Sequence, residues 1–337
     1  MGENTGEKIA VIGAGSWGTT LAVLLADKGF DVTLWVYEPD LVREIEAKRE
    51  NPLFLPGVSI PSNIKPTHSL CEAVREKDVI VSVVPSHVAR QVTLQYRDHL
   101  PKGAHLVSAT KGLEEESLLR ISQVIQQSIP SRIEIKISCL SGPSFAREVS
   151  RKMATAVAVA CEDTQEAIFI QHLFSSPYFR VYRNNDLVGV ELAGALKNVI
   201  AIAAGISDGL GFGYNARAAL ITRGLVEITR LGMAMGARQE TFYGLAGVGD
   251  LILTCTADLS RNRTLGLRLG QGEKLSHILG SMKMVAEGVV TARAAIRLAR
   301  KLHVEMPISE QVSAILFEER TPLDAFSELM SRTLKYE

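Results

Sequence analysis

The chain has 337 residues, and its 37 Lys and Arg balance its 37 Asp and Glu to a formal charge of zero at pH 7. A neutral chain has no net attraction for a phosphate polymer, which argues against a general nucleic-acid-binding protein. The composition, 46% hydrophobic and 22% charged, excludes a disordered chain, and the length predicts two domains.

The first half of the chain alternates short β-branched runs with amphipathic stretches. This alternation is typical of βαβ units around a mostly parallel sheet. The segment 52–66 interrupts it with four prolines, which predicts an irregular excursion over the sheet edge. The candidate strands are 9–12, 32–36, 79–84, 105–108, 133–139, 156–160 and 179–182.

The sequence changes character near residue 188, where Ala- and Leu-rich segments with helical periodicity begin. We therefore predict an N-terminal Rossmann-type, doubly wound α/β domain over 1–188 and a C-terminal all-helical, substrate-binding domain over 189–337. The most apolar stretch, 187–210, contains four strongly polar residues, so we expect a core helix of a soluble protein and no integral membrane segment. The predicted helices are 188–206, 216–235, 289–302 and 307–319.

The first predicted strand leads into a glycine-rich turn, 13–18, and then into a helical run, 19–28. Strand, G-x-G-x-x-G and helix come in the order that dinucleotide binding requires. Gly13 permits the tight turn, Gly15 lets the backbone approach a pyrophosphate, and Gly18 allows the helix to pack closely on the strand. Free N–H groups at the helix start would receive the anion. The alternative is a plain strand–helix turn.

An acidic residue, Glu38, follows the second strand about 20 residues after the turn, where a carboxylate typically binds the ribose hydroxyls of NAD. A solvated loop glutamate is the alternative. The nearby cations Arg43, Lys48 and Arg49 could instead neutralise the 2′-phosphate of NADP, so the cofactor preference stays open.

Lys197 lies in a small, apolar helical run, 189–199, where a lysine either snorkels to the surface or is buried. Burial would lower its pKa and make it a proton donor or acceptor near neutral pH. Further along, the glycine-rich segment 244–251 supplies one carboxylate, Asp250.

Ser260, Arg261, Asn262 and Arg263 open another helical run, with Ser260 as a natural N-cap. A hydroxyl, a guanidinium and a carboxamide at a helix start suit a small phosphate or carboxylate. A capped helix with solvated arginines is the alternative.

Two segments that follow predicted strands, 109–113 with Lys111 and 141–146 with Ser144, are expected to reach the same ligand. The reason is that ligands of α/β sheets bind beyond the carboxyl ends of the strands. A surface lysine and a mere helix cap are the alternatives for Lys111 and Ser144.

Cysteine and histidine spacings point away from metal and disulfide chemistry. The four cysteines form no C-x-x-C pair and the seven histidines no H-E-x-x-H motif, so we expect reduced thiols and no metal site. Residues 1–6 lack the features of an export signal, and we expect a cytoplasmic protein.

Nine different short motifs are spread along almost the whole chain in a characteristic order. They are G-A-G-S-W-G at 13–18, V-P-S-H at 84–87, T-K-G at 110–112, S-G-P-S-F-A at 141–146, L-K-N-V at 196–199, G-V-G-D-L at 247–251, S-R-N-R at 260–263, V-A-E-G at 285–288 and E-M-P-I at 305–308. In this series the chain resembles the bacterial NAD(P)-dependent glycerol-3-phosphate dehydrogenases. The resemblance implies a cytoplasmic homodimer, dimerising through its helical domain, that uses NAD(P)H to interconvert dihydroxyacetone phosphate and sn-glycerol 3-phosphate for phospholipid synthesis.

The resemblance also implies roles for single residues. Lys197 would transfer the proton, with Asp250 positioning its amine. The other substrate contacts would be Lys111, Gly142, Ser144, Ser260, Arg261 and Asn262. The cofactor contacts, beside Gly13, Gly15, Gly18 and Glu38, would be Ser16, Trp17, Tyr37, Lys111, Ala146, Arg261, Val285 and Glu287. Relatives that favour NADP often have Arg or His where this chain has Tyr37.

Two other functions remain open at this point. A β-hydroxyacid or ketopantoate-type reductase shares the two-domain plan but needs no phosphate site. A non-catalytic redox sensor would bind the dinucleotide and signal to a partner, with no use for Lys197, Asp250 and Arg261.

Overall fold

A computed structural model describes residues 6–282, 284–334 and 336, which form two compact units. The first, here the sheet unit, comprises the described residues up to 110 and residues 121–187, and the second, the helical unit, comprises 111–120 and those from 188 onward. The predicted first domain, 1–188, included 111–120, and this assignment is wrong for that segment. Its Leu113 is fully buried in the core of the helical unit, which explains the correction.

The sheet unit contains an eight-stranded sheet, a separate two-stranded hairpin and seven helices among its described residues. The order in the sheet is β10-β9-β8-β7-β6-β1-β2-β5, and every neighbouring pair is parallel except β8 and β9. The strands are β1 (Lys8–Ile12), β2 (Asp31–Trp35), β3 (Glu50–Asn51), β4 (Leu55–Ser59), β5 (Ile64–Thr67), β6 (Val79–Ser82), β7 (Ala104–Ser108), β8 (Ile135–Ser141), β9 (Thr155–Ala160) and β10 (Phe179–Asn184). The helices are α1 (Ser16–Asp27), α2 (Pro39–Lys48), α3 (Leu70–Val74), α4 (Ala89–Tyr96), α5 (Ile121–Ser128), α6 (Ala146–Ser150) and α7 (Thr164–Phe174), with 3₁₀ turns at Ser86–Val88 and Arg97–His99.

Both faces of the sheet are covered, as its hydrophobic pattern requires. Ile9 and Val11 of β1 pack into one core cluster, whereas Ala10 and Ile12 pack into another on the opposite face. Such continuous apolar strands are typical of a doubly wound parallel sheet.

The proline-rich segment 52–66 was predicted to be irregular, and this prediction is wrong in part. It contains β4 and the start of β5, and β5 joins the main sheet beside β2. Pro66 is tolerated in β5 because that strand lies at the edge of the sheet, where one side needs no ladder hydrogen bonds.

The helical unit is built around α8, most of whose residues are buried. Its helices are α8 (Leu187–Gly209), α9 (Gly213–Ala234), α10 (Gln239–Phe242), α11 (Asp250–Thr256), α12 (Arg261–Gly270), α13 (Leu275–Ser281), α14 (Glu287–Lys301), α15 (Pro307–Phe317) and α16 (Pro322–Met330), with a π-type turn at Leu245–Gly249. The four helices expected from the sequence thus correspond to α8, α9, α14 and α15.

Helix α8 is long and apolar enough to cross a bilayer, but 94% of its most apolar window is buried inside the protein. A second candidate arises only if the helical stretches Gln239–Thr256 and Arg261–Gly270, bent by 47°, are counted as one span. The burial of α8 agrees with its interpretation as a core helix.

Glycines bring α8 and α12 into close contact. A Cβ on Gly205 of α8 would lie 2.0 Å from the carbonyl oxygen of Arg263, and one on Gly266 of α12 would lie 2.1 Å from that of Ile202. The two backbones therefore touch, and the start of α12 is held beside the middle of α8.

Candidate functional site

The glycine-rich turn has the geometry that its three glycines predict. Gly13 has φ +115°, a left-handed value, and a Cβ there would lie 3.0 Å from the carbonyl oxygen of Val83. A Cβ on Gly18 would lie 1.8 Å from the carbonyl oxygen of Gly13, so only glycine lets α1 start this close to the turn. Gly15, at the N-cap of α1, faces open space, with no atom within 4 Å of the position of a Cβ.

This turn fits the pyrophosphate of a dinucleotide. No side chain caps α1, and the open space at Gly15 leaves its first N–H groups accessible to an anion. The indole N–H of Trp17 is buried and has no hydrogen-bond partner among the described residues.

Asn51 supports the turn from behind, and sequence reasoning missed it. Its side chain is fully buried, and its amide donates to the carbonyl oxygen of Ala14 at 2.8 Å and to the hydroxyl of Thr19 at 2.9 Å. Its amide oxygen accepts a hydrogen bond from the N–H of Phe54 at 3.0 Å. No sequence signal pointed to Asn51, because it precedes a segment interpreted as irregular.

The loop after β2 contains Tyr37 and Glu38, the residues expected to determine the preference for NAD or NADP. Tyr37 is 71% exposed and packs edge-on against Trp35. Glu38 starts α2 without forming a side-chain cap, so its carboxylate is not consumed by the helix.

The three cations near this loop all have partners. Arg43 pairs with Asp40, and Lys48 lies 3.6 Å from Glu44, both on the surface. Arg49 binds the carbonyl oxygens of Ile60, Pro61 and Ile64, so it holds the chain leading into β5.

Gly142, Ser144 and Ala146 lie together after β8. Gly142 has φ +144°, and a Cβ there would lie 2.9 Å from Cα of Val157. Ser144 donates to the carbonyl oxygen of Gly142 at 2.9 Å, and the carbonyl of Ala146 accepts from Thr20 of α1 at 3.3 Å. These contacts place Ala146 beside the first helix of the sheet unit.

A buried cluster in the helical unit joins Lys111, Lys197 and Asp250. The ammonium of Lys197 donates to Oδ1 of Asp250 at 2.9 Å, and that of Lys111 donates to Oδ2 at 2.7 Å. Lys197 is buried rather than snorkelling, and Lys111 is an ion-pair partner rather than a surface lysine.

Thr254 completes the cluster. Its hydroxyl donates to the backbone carbonyl oxygen of Asp250 at 2.6 Å and accepts from the ammonium of Lys197 at 2.7 Å. The sequence could have indicated Thr254, because it lies one helical turn after Asp250 on α11, but this spacing was not used.

Burial and charge set the protonation of this cluster. Desolvation lowers the pKa of Lys197 from its ordinary 10.5 to about 8; Asp250 opposes this shift and Lys111 adds to it. Burial opposes ionisation of Asp250, but the two ammonium groups outweigh it and hold its pKa below the ordinary value.

The start of α12 is held to α8 by carboxamides. Ser260 caps the helix by accepting from the N–H of Arg263, which confirms its predicted N-cap role. Asn262 donates to the side-chain oxygen of Asn198 at 3.0 Å, and its own oxygen accepts from the N–H of Gly288 at 3.0 Å. Asn198, the neighbour of Lys197, thus links the start of α12 to the lysine cluster.

The two arginines at the start of α12 differ in their surroundings. Arg261 donates to the carbonyl oxygen of Val285 at 2.9 Å, just before Glu287 at the start of α14. Arg263 is not the solvated arginine of the alternative interpretation, because it binds Asp208 at 2.8 Å and Asp258 at 2.8 Å. Of the two, Arg263 is thus committed to carboxylates, whereas Arg261 is held by a backbone carbonyl oxygen.

Within the described part of the chain, no group of three or more His, Cys, Asp or Glu side chains is placed to hold a metal ion, and the four cysteines are free. A dinucleotide-type turn on a doubly wound sheet and a buried lysine–carboxylate pair are together the features expected of a dinucleotide-dependent oxidoreductase.

Comparison with known proteins narrows this class. Residues 8–167 match the family described as NAD-dependent glycerol-3-phosphate dehydrogenase N-terminus, and residues 186–327 match its C-terminal counterpart. The glycerol-3-phosphate dehydrogenase (NAD(P)+) of Geobacter metallireducens is 58% identical over 98% of this chain and 99% of its own. The crystal structure of glycerol-3-phosphate dehydrogenase from Coxiella burnetii has a TM-score of 0.93 at 40% identity, covering 97% of this chain and 99% of that chain.

The chain belongs to the NAD-dependent glycerol-3-phosphate dehydrogenase family. It is an NAD(P)-dependent oxidoreductase, so the predicted resemblance, fold class, enzyme class and cofactor are confirmed. A ketopantoate reductase from Ralstonia eutropha aligns with a TM-score of 0.60 at 16% identity, which shows a shared fold alone. The non-catalytic sensor has no support from these relatives.

Proposed function

We propose that the helical unit binds dihydroxyacetone phosphate and sn-glycerol 3-phosphate and that Lys197 transfers the proton in their interconversion. The observation that carries this proposal is the set of acceptors around its ammonium group. Of the three N–H donors of a lysine, one points to Asp250 and one to Thr254. Among the described residues no third acceptor is found, and the substrate carbonyl oxygen is the acceptor we assign to it.

When bound at the glycine-rich turn, a reduced nicotinamide cofactor would supply the hydride for the carbonyl carbon of the substrate. Lys197, as an ammonium, donates its third proton to the oxygen on which negative charge develops. In the reverse direction its neutral amine removes the hydroxyl proton. A pKa of about 8 keeps both forms accessible near neutral pH.

Asp250 and Lys111 orient this proton donor. The carboxylate of Asp250 accepts from both lysines, one on each oxygen. The bond to Lys111 fixes the orientation of the carboxylate, and the carboxylate in turn holds the Lys197 ammonium towards the substrate. Lys111 also adds positive charge beside a substrate that carries a phosphate.

The phosphate of the substrate binds at the start of α12. One amide proton of Asn262 is committed to Asn198 and the other remains for the ligand. Arg261 uses one nitrogen on Val285, which fixes the guanidinium, and we assign its other donors to the phosphate. Binding the phosphate there converts remote binding energy into orientation of the carbonyl. The hydroxyl proton of Ser260 is a further donor.

The sheet unit binds the dinucleotide, with the pyrophosphate at Gly13, Gly15 and Gly18. Glu38 accepts hydrogen bonds from the ribose hydroxyls. The remaining contacts we assign are Ser16, Trp17, Tyr37 and Ala146 of the sheet unit and Lys111, Arg261, Val285 and Glu287 of the helical unit. Gly142 and Ser144 contribute to substrate binding.

The test is oxidation of NADH or NADPH with dihydroxyacetone phosphate, unphosphorylated dihydroxyacetone and ketopantoate as parallel substrates. Strong preference for the phosphorylated substrate supports the proposal. If dihydroxyacetone is turned over as fast as dihydroxyacetone phosphate, the proposed phosphate site is wrong. A preference for ketopantoate would identify the chain as the alternative reductase.

The family resemblance also supports a homodimer that acts in the cytoplasm and supplies glycerol 3-phosphate for phospholipid synthesis. Tyr214 and Met233 on α9 are exposed apolar side chains that a second subunit would cover. Light scattering of the purified protein measures its mass directly, and a value of one subunit contradicts the homodimer.

A further inference from the structure

The segment 111–120, here called the strap, begins with Lys111. In sequence it lies between two parts of the sheet unit. It follows β7 and precedes α5 in sequence, yet it belongs to the helical unit. Its two ends meet through an antiparallel bridge between Leu113 and Arg120. Whatever fixes Arg120 therefore also fixes the end of the strap next to Lys111.

Arg120 is fixed by a buried ion pair with Glu191 of α8. The two side chains are only 12% and 4% exposed. Glu191 stands six residues before Lys197 on the same helix, a rise of about 9 Å. One rigid helix therefore carries both the proton-transfer lysine and the anchor of the strap.

A second anchor holds the middle of the strap. Glu115 pairs with Arg293 at 2.9 Å, and its carbonyl oxygen accepts from Arg297 at 2.8 Å. These contacts lie at the surface, where screening by water weakens them. Of these two polar anchors, the buried pair at Arg120 is the stronger, and it acts beside Leu113, which is itself buried in the core.

We propose that Arg120 and Glu191 are positioning residues that hold Lys111 against Asp250 through the strap. The inference rests on the proposed function, because it gives the lysine cluster its purpose. Neither Arg120 nor Glu191 needs to touch the substrate for this role.

The test is a double-mutant cycle on kcat for reduction of dihydroxyacetone phosphate, with the variants Lys111→Met, Arg120→Gln and the double variant. A displaced lysine should cost up to about 10²-fold in kcat. If Arg120 acts only through Lys111, the double variant should be no slower than Lys111→Met alone. Arg120→Lys, which retains the charge, should recover part of the loss.

A control variant and hydrogen exchange separate positioning of the strap from other effects of losing an ion pair. Arg268→Gln breaks the ion pair with Glu273, whose two side chains are 28% and 35% exposed, in the same unit but outside the strap, and should leave kcat unchanged. Amide hydrogen exchange of Glu191→Gln should quicken in residues 111–120 while α8 stays protected. This readout depends on folding of the strap and not on activity.

The outcomes distinguish failure of the positioning role from failure of the proposed function. Multiplicative losses in the double variant, or unchanged exchange in the strap of Glu191→Gln, overturn the positioning role and leave the proposed function standing. A kcat of Lys111→Met equal to that of the wild type overturns the role of Lys111 in the proposed function, and the positioning role with it.

Discussion

The pKa of Lys197 makes the two directions of the reaction depend on pH in opposite ways. With a pKa of about 8, about a tenth of the Lys197 side chains are neutral at pH 7, whereas a lysine at 10.5 would be neutral in about 0.03%. Burial therefore raises the fraction of the base form at pH 7 by about 300-fold. Reduction needs the ammonium and should slow above pH 8, while oxidation needs the amine and should accelerate up to pH 8 and then level off.

Steady-state kcat in both directions from pH 7 to 10 measures this directly. The range begins at pH 7 because the substrate phosphate has a pKa of about 6, and its titration would distort the pH profile of kcat below pH 7. In Lys111→Met both inflections should move to higher pH, since Lys111 lowers the pKa of Lys197. An oxidation rate in the wild type that climbs tenfold per unit to pH 10 would refute the lowered pKa and the proton-transfer role built on it.

Three further variants test other parts of the site. Arg261→Ala should raise KM for dihydroxyacetone phosphate by about 10- to 100-fold, because a hydrogen bond to a charged group contributes about 1.5–3 kcal/mol; equal damage toward dihydroxyacetone would remove Arg261 from the phosphate site. Asn51→Ala leaves a buried carbonyl less well satisfied and should weaken NADH binding, measured by fluorescence titration, by about tenfold or more, with KM for glycerol 3-phosphate unchanged; unaltered NADH affinity would contradict its supporting role. Tyr37→Arg should shift kcat/KM toward NADPH, because Glu38 repels a 2′-phosphate and the nearby cations are already paired; an unchanged ratio would place neither residue at the adenosine ribose.

The fold followed from the sequence wherever local pattern determines structure. The β-branched runs became strands and the Ala- and Leu-rich segments became helices, because periodicity and burial coincide there. Edge strand β5 was missed because Pro66 breaks the strand pattern, and only its edge position makes the proline acceptable.

Long-range contacts explain what the sequence did not predict. Lys197 and Asp250 were singled out by chemistry, but the pairing of Lys111 with Asp250 required the strap to leave the unit that precedes it in the chain. Asn51 and Thr254 have side chains that are polar but common, and only the folded structure brings them to Ala14 and Lys197.

If the third proton of Lys197 goes to the substrate oxygen, reduction of dihydroxyacetone phosphate depends on that proton, and kcat of Lys197→Met measures the dependence. Methionine retains the length of the side chain and removes its charge and its protons. Lys197→Arg retains the charge but holds its proton too tightly to transfer it, and serves as the control for electrostatics alone. With NADH affinity unchanged, we predict that kcat of Lys197→Met falls by about 10²- to 10⁴-fold. A fall of less than about tenfold would exclude Lys197 as the proton donor and make it a structural lysine.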